Sequence, residues 1–333
     1  MGIFADSGAN ARLRARKSRL RGPRELRLLR AAGSVGALAA ALGVEGAREA
    51  GEVSAALFGG LLEDYAALLR HYPRGARLFS AVLRLYEVEN LKLAWRAHSR
   101  RAAAAAWRRL WKPLGGLETL SLTRWSDAAT LRDAAATAAG TPFGTVVEDV
   151  LRSRETDPRA AELDFDGDAW ETLAREARRL PTRESGAAEL ALALVRERDY
   201  DLLRRSAARR LTPEAAVAAT AILREEEKAE TLRSLAAWSP AEGPLSGRLP
   251  PRLVRRLPGV LDWDGLAAAL ARRRRDQCRR ALLAYPFRLA SPMAFLLLRQ
   301  EEVRCLSVLV RRTALASPPE GFERLLAGSA LES

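Results

Sequence analysis

Lysine, cysteine and histidine are all scarce in this chain, and no stretch alternates apolar and polar residues at a spacing of two. Each absence removes a class of explanation. Two cysteines, Cys278 and Cys305, sit in helical patterns and read as small buried hydrophobes, not as a disulfide or a metal pair. His71 and His98 are the only histidines, each expected at a helix end or on the surface. With so few soft ligands there is no metal-binding spacing, and no nucleophile lies beside a general base. The glycine pairs Gly59-Gly60 and Gly115-Gly116 lack the lysine and hydroxyl residue of a phosphate-binding loop. Catalysis is therefore not expected, and no cofactor is. The longest uncharged apolar run, Ala31 to Val44, is too short to cross a bilayer and contains three glycines. Met1 to Asn10 has no apolar core of the signal-peptide kind, and Arg12 to Arg24 is strongly basic. These features predict a cytoplasmic protein, soluble or peripheral to a membrane.

What remains is rich in alanine, leucine and arginine. The 333 residues, 48% hydrophobic, suffice for one large domain or two to three small ones. The net charge of +14 suggests a nucleic-acid partner, yet only four of the 55 basic residues are lysine. The arginines are spread over nearly every helical stretch with glutamates nearby, which is the pattern of solvated helix surfaces. An arginine-rich nucleic-acid-binding protein is the alternative reading, and charge alone carries it. No nucleic acid is expected as a partner.

The densest helical signal is Leu83 to Arg96, free of glycine and proline. Its apolar residues cover most of the circumference, so it reads as a core helix, while Glu89, Lys92 and Arg96 fall at i, i+3 and i+7 and make one polar stripe. Such a stripe belongs to an internal network or to a partner contact. The spacing predicts that this helix continues through an alanine tract to Trp107 and Trp111. Before it come two helices within residues 9 to 30, broken at Gly22-Pro23, then helices at 35–42 and 47–69. After it, helices are predicted at 123–139, 145–154, 170–180, 187–210, 213–238, 264–284 and 291–313, with an acidic loop over 155–167 and a proline-rich stretch over 239–258. Thr212-Pro213 and Ser291-Pro292 are cap-then-proline start signals. The fold class is all-α.

The chain also resembles itself. Glu87 to Ala94 aligns with Glu302 to Leu309, and more weakly with Lys228 to Leu235. Upstream of these lie Asp64 to Leu69, Asp276 to Leu283 and Asp199 to Leu203. Three modules of one design predict a pseudo-threefold arrangement, each central helix buried against its own hairpin partner. Unequal spacing between the copies argues against a solenoid.

Ala9-Asn10-Ala11-Arg12-Leu13-Arg14-Ala15-Arg16-Lys17-Ser18, Tyr86-Glu87-Val88-Glu89-Asn90-Leu91-Lys92, Gly140-Thr141-Pro142-Phe143 and the final helix from Pro292 to Val308 occur in that order. They resemble motifs of the C subunit of archaeal and bacterial V/A-type rotary ATPases, the relative of the eukaryotic V-ATPase d subunit. The pattern is degraded at Lys228, Thr231 and Cys305. The resemblance implies three helical modules (1–112, 113–240 and 241–333) forming a funnel-like bundle. It also implies a non-catalytic role as a socket between the central shaft and the membrane proteolipid ring, at the cytoplasmic face of the membrane. Expected partners are the shaft subunits, the ring and anionic lipid headgroups. Glu89, Asn90, Lys92, Arg96, Arg12, Arg16 and Lys17 are the candidate residues for a partner contact or an internal polar network.

Overall fold

The computed structural model describes residues 3–21, 23–44, 46–153, 158–208, 210–237, 249–250, 253, 263–284 and 288–315. Most of the expected proline-rich stretch over 239–258 lies outside these. The fold is all-α, and no strand occurs among the described residues. In chain order the helices are α1 (Ile3–Lys17), α2 (Pro23–Leu29), α3 (Val35–Leu42), α4 (Ala50–His71), α5 (Ala76–Ser99), α6 (Ala104–Arg108), α7 (Leu122–Asp127), α8 (Leu131–Ala136), α9 (Gly144–Arg152), α10 (Pro158–Arg178), α11 (Ser185–Ala207), α12 (Pro213–Ala218), α13 (Glu225–Ala237), α14 (Trp263–Leu283) and α15 (Ala290–Leu315). Single 3-10 turns at Pro73–Gly75 and Thr182–Glu184 precede α5 and α11.

Two compact units divide the chain, neither of them continuous in sequence. One combines Met1–Ala76, Leu180–Leu194 and Asp264–Ser333. Within it α15 packs along α4, and both meet α1. Val53, Leu57, Leu61, Tyr65 and Leu68 form the buried stripe of α4 at the spacing the sequence shows. The first turns of α15 are buried on every side, from Ser291 to Leu297 without a break. The other unit combines Arg77–Arg179 and Val195–Trp263. Its core holds Val88, Leu91 and Trp95 of α5 with Trp107, Trp111, Trp125, Phe143 and Phe165. Trp95 meets Phe165 edge-on, ring centroids 5.1 Å apart. Cys278 and Cys305 are both buried, as their helical patterns predict.

Several helices are shorter than their patterns predict, and polar side chains explain where they stop. Residues 123–139 form two helices because Thr130 and Asp133 make a reciprocal capping box at the start of α8. Residues 213–238 likewise split at 219–224, where the Asp199 carboxylate takes the backbone N–H groups of Ala221 and Ile222. The helix expected to reach Trp107 stops at Ser99. Ala102 N–H bonds to Ala97 C=O and Arg101 N–H to His98 C=O, a Schellman closure with Arg101 left-handed at φ 52°.

The expected loop over 155–167 is instead helical from Pro158, since Ala161, Phe165 and Ala169 bury one face of α10. Its alternating aspartates suit a turn, but Asp166 is held by Lys92. Thr212 does cap α12, accepting from Ala215 N–H with proline at the first position. Ser291 does not cap α15: it lies inside the first turn, and its hydroxyl donates to Ala281 C=O at 2.8 Å.

Candidate functional site

The polar stripe of α5 is fully engaged within the chain. Glu87, 0% exposed, accepts hydrogen bonds from Leu120 N–H (2.7 Å), Thr119 N–H and the Thr119 hydroxyl (3.0 Å), and pairs with Arg84. One buried carboxylate thus gathers the turn that follows the first tryptophan pair. Asn90 reads the backbone of Lys112 in both directions, donating to its carbonyl at 2.7 Å and accepting from its N–H at 2.9 Å. Lys92 reaches both oxygens of Asp166, at 2.9 and 3.1 Å, and also Glu89 at 2.7 Å. Arg96 holds Glu162 by a two-pronged pair at 2.7 and 2.8 Å. Four successive polar positions therefore tie α5 to the 112–120 segment and to α10.

The charges follow from this packing. Burial alone would lower the Lys92 pKa, but Asp166 and Glu89 outweigh it and the net shift is upward. Desolvation raises Asp166, against the pull of Lys92. Hydrogen bonding to Glu162 raises Arg96. Glu89 is half exposed, its side chain at 51%, and Arg96 is also partly open to solvent, whereas Lys92 is buried.

The same device recurs on α11. Asp199, also 0% exposed, accepts from Ala221 N–H at 2.9 Å and Ile222 N–H at 2.7 Å, with Arg198 beside it at 3.0 Å. Desolvation pushes its carboxyl upward in pKa. Arg198 lies over the Trp170 ring, 5.8 Å from its centre. On α15, Glu302 accepts from Arg21 N–H at 3.2 Å and pairs with Arg299 at 2.7 Å and with the Arg21 side chain at 3.4 Å. Three long helices, α5, α11 and α15, thus each carry a buried acid that accepts from the backbone of a distant segment. Between Glu87 and Glu302 in the chain, the buried acid of this kind is Asp199 on α11. Arg84-x-x-Glu87, Arg196-x-x-Asp199 and Arg299-x-x-Glu302 share a spacing that could have located all three.

The basic motif of α1 is spent on the helices it packs against. Asn10 accepts from the Tyr72 hydroxyl at 3.0 Å. Arg12 donates to the His71 ring at 3.2 Å, and desolvation and that guanidinium hold His71 below its ordinary pKa. Arg16 pairs with Asp64, which Arg299 also reaches at 3.2 Å. Lys17 donates to Leu282 C=O at 3.2 Å. The Gly140-Thr141-Pro142-Phe143 turn is equally specific. Gly140 is left-handed at φ 77°, the Thr141 hydroxyl donates to Ala138 C=O at 2.6 Å, and Phe143 is buried in the core. The motifs thus occupy defined structural positions from α1 to α15, and the profile of the ATP synthase (C/AC39) subunit family matches residues 9–324.

The chain belongs to that family.

No curated protein is similar enough to count as a match. As a member of the C/AC39 family the chain is a subunit of an ATP synthase-type complex. Among the described residues no helix is long and apolar enough to cross a membrane, and no cluster of histidine, cysteine and acidic side chains could hold a metal ion. His98 lies near the end of α5, as expected, and its Nε2 is 2.7 Å from Trp125 C=O. The acids of α5 and α15 each lie beside a cation: Glu87 by Arg84, Glu89 by Lys92, Glu302 by Arg299, and Glu301 near Arg274 and Arg275 at 3.7 and 3.8 Å. Glu162 and Asp166 carry no sequence signal, and Asp64 and Asp199 stand out only as first residues of repeated segments, because a single acid in a helix gives no sign of which distant amide or cation it meets.

Proposed function

We propose that the chain is a non-catalytic central-stalk subunit of a V/A-type rotary ATPase, a socket that couples the rotating shaft to the membrane proteolipid ring. The single observation that carries this is the family match over residues 9–324. The three modules, 1–112, 113–240 and 241–333, are part of the same proposal. Their support is the recurrence of a long helix whose buried acid, Glu87, Asp199 or Glu302, gathers a remote backbone segment. A coupling element has to move as a body, and buried ionic braces on close-packed helices resist shear where loops would absorb it. The shaft would enter the socket, the ring would lie beneath it, and exposed arginines would favour anionic headgroups at the cytoplasmic face of the membrane.

Affinity purification of the tagged chain from detergent-solubilised membranes of its host tests the reading. Shaft and proteolipid subunits are expected to co-purify. Recovery of the folded chain without any rotary ATPase subunit overturns the proposal.

A further inference from the structure

An open cleft of about 730 Å³ lies at the C-terminal end of α5, wholly inside one unit. Its lining includes His98 and Trp107, which meet edge-on at 6.1 Å, and two turns bound it. Arg101 and Ala104 line it from the first turn, Ser126 and Thr130 from the second. No polar stripe, brace or family motif described above uses this space.

Arg101 is the informative residue. It occupies the left-handed position that closes α5, φ 52°, and is the only non-glycine residue with positive φ among those described. Glycine fits such a helix end without steric cost, whereas a side chain is disfavoured there. The sequence tolerates that cost and so places a guanidinium on the cleft. This cation has no acidic partner among the described residues. The nearby acids are already engaged, Asp127 by Arg108 and Asp133 by the Thr130 cap. Arg100, beside it in sequence, is likewise unpaired and adds to the positive potential.

We propose that this cleft docks an acidic peptide segment of another subunit of the complex, its carboxylate held by Arg101 and an apolar side chain resting on His98. The proposal rests on the rotary-complex reading for the identity of the partner. A peptide fits better than a lipid surface, because the site is recessed between two turns. Small alanines let a backbone approach, the Ser126 hydroxyl offers an acceptor to its N–H groups, and an unpaired arginine selects a carboxylate.

The test places the photo-cross-linker p-benzoylphenylalanine at position 104, and separately at 129, in the tagged full-length chain expressed in its host. Irradiated membranes are then purified and the attached peptide sequenced. The expected product is a segment rich in aspartate and glutamate from another rotary ATPase subunit, its yield falling about tenfold with Arg101→Gly and largely kept with Arg101→Lys. Arg101→Gly is meanwhile expected to raise the melting temperature of the purified chain by about 2 °C, so lost cross-linking cannot be lost folding. Binding to phosphatidylglycerol vesicles at low salt should be unchanged. Co-purification of the complex with no peptide attached at either position, or a yield indifferent to Arg101→Gly, overturns the cleft while leaving the rotary reading intact. An acidic segment captured from a protein outside the complex, with no rotary subunit recovered, overturns the reading and the assigned partner together. Vesicle binding lost with Arg101→Gly while the cross-link persists identifies a lipid site and overturns the proposal.

Discussion

The carboxylate of Glu87 accepts the backbone N–H of Leu120 at 2.7 Å, thirty-three residues away in sequence, with no part of the side chain exposed. A buried acid in that position stabilises only while its amides and Arg84 are present, and removing it leaves all of them unsatisfied. Glu87→Ala is expected to destabilise the chain by about 3–5 kcal/mol and Glu87→Gln by about 1–3 kcal/mol, read by urea denaturation. Asp199→Ala should behave alike, since it holds the amides of Ala221 and Ile222. Equal stability of Glu87→Ala and the wild type would refute the bracing role.

Two members of the α5 stripe, Lys92 and Glu89, are expected to respond differently. Lys92 is buried between Asp166 and Glu89, so Lys92→Ala strands a desolvated carboxylate and should cost about 3 kcal/mol. Glu89 is half exposed, so Glu89→Lys should cost no more than about 1 kcal/mol in the isolated chain. Assembly measured on the same Glu89→Lys protein then reports contact with a partner, free of any folding defect.

Asp168 supplies a test with a definite sign. Burial raises its pKa above the ordinary 3.8, outweighing Arg175 and assisted by Glu171 and Asp149. The native chain therefore binds this proton more readily than the unfolded chain, and stability falls as the pH rises through the interval between the two values. Asp168→Asn should be more stable than the wild type at pH 7. The difference should vanish as the pH approaches 3.8, followed by thermal melts across that range.

His71 has the opposite dependence. Desolvation and the Arg12 guanidinium hold it below its ordinary 6.5, so the unfolded chain takes up the proton first. Stability contributed here is complete above pH 6.5 and declines as the pH falls below it. His71→Gln should remove that part of the acid sensitivity, read as a flatter slope of melting temperature against pH.

The all-α class, the burial of α4 and α5 and the α1 motif were legible because apolar spacing and local motifs are properties of contiguous residues. The breaks were not. Residues 213–238 keep a helical pattern throughout, and only Asp199, a remote residue, withdraws the amides of Ala221 and Ile222 from the helix. The run toward Trp107 gave no glycine at its true end, because Arg101 stands in the left-handed position. Lys92 and Arg96 could be recognised as a stripe, but their partners Asp166 and Glu162 lay in a segment whose aspartates and glycine imitate a loop.

ATP-driven ion transport measures the coupling role most directly. Inverted membrane vesicles from a host strain lacking this chain should hydrolyse ATP without building an ion gradient, and adding back the purified chain should restore the gradient. The Glu87→Ala chain, in which the brace is broken, should restore little. Normal ATP-driven gradient formation in vesicles that lack the chain altogether would contradict the account.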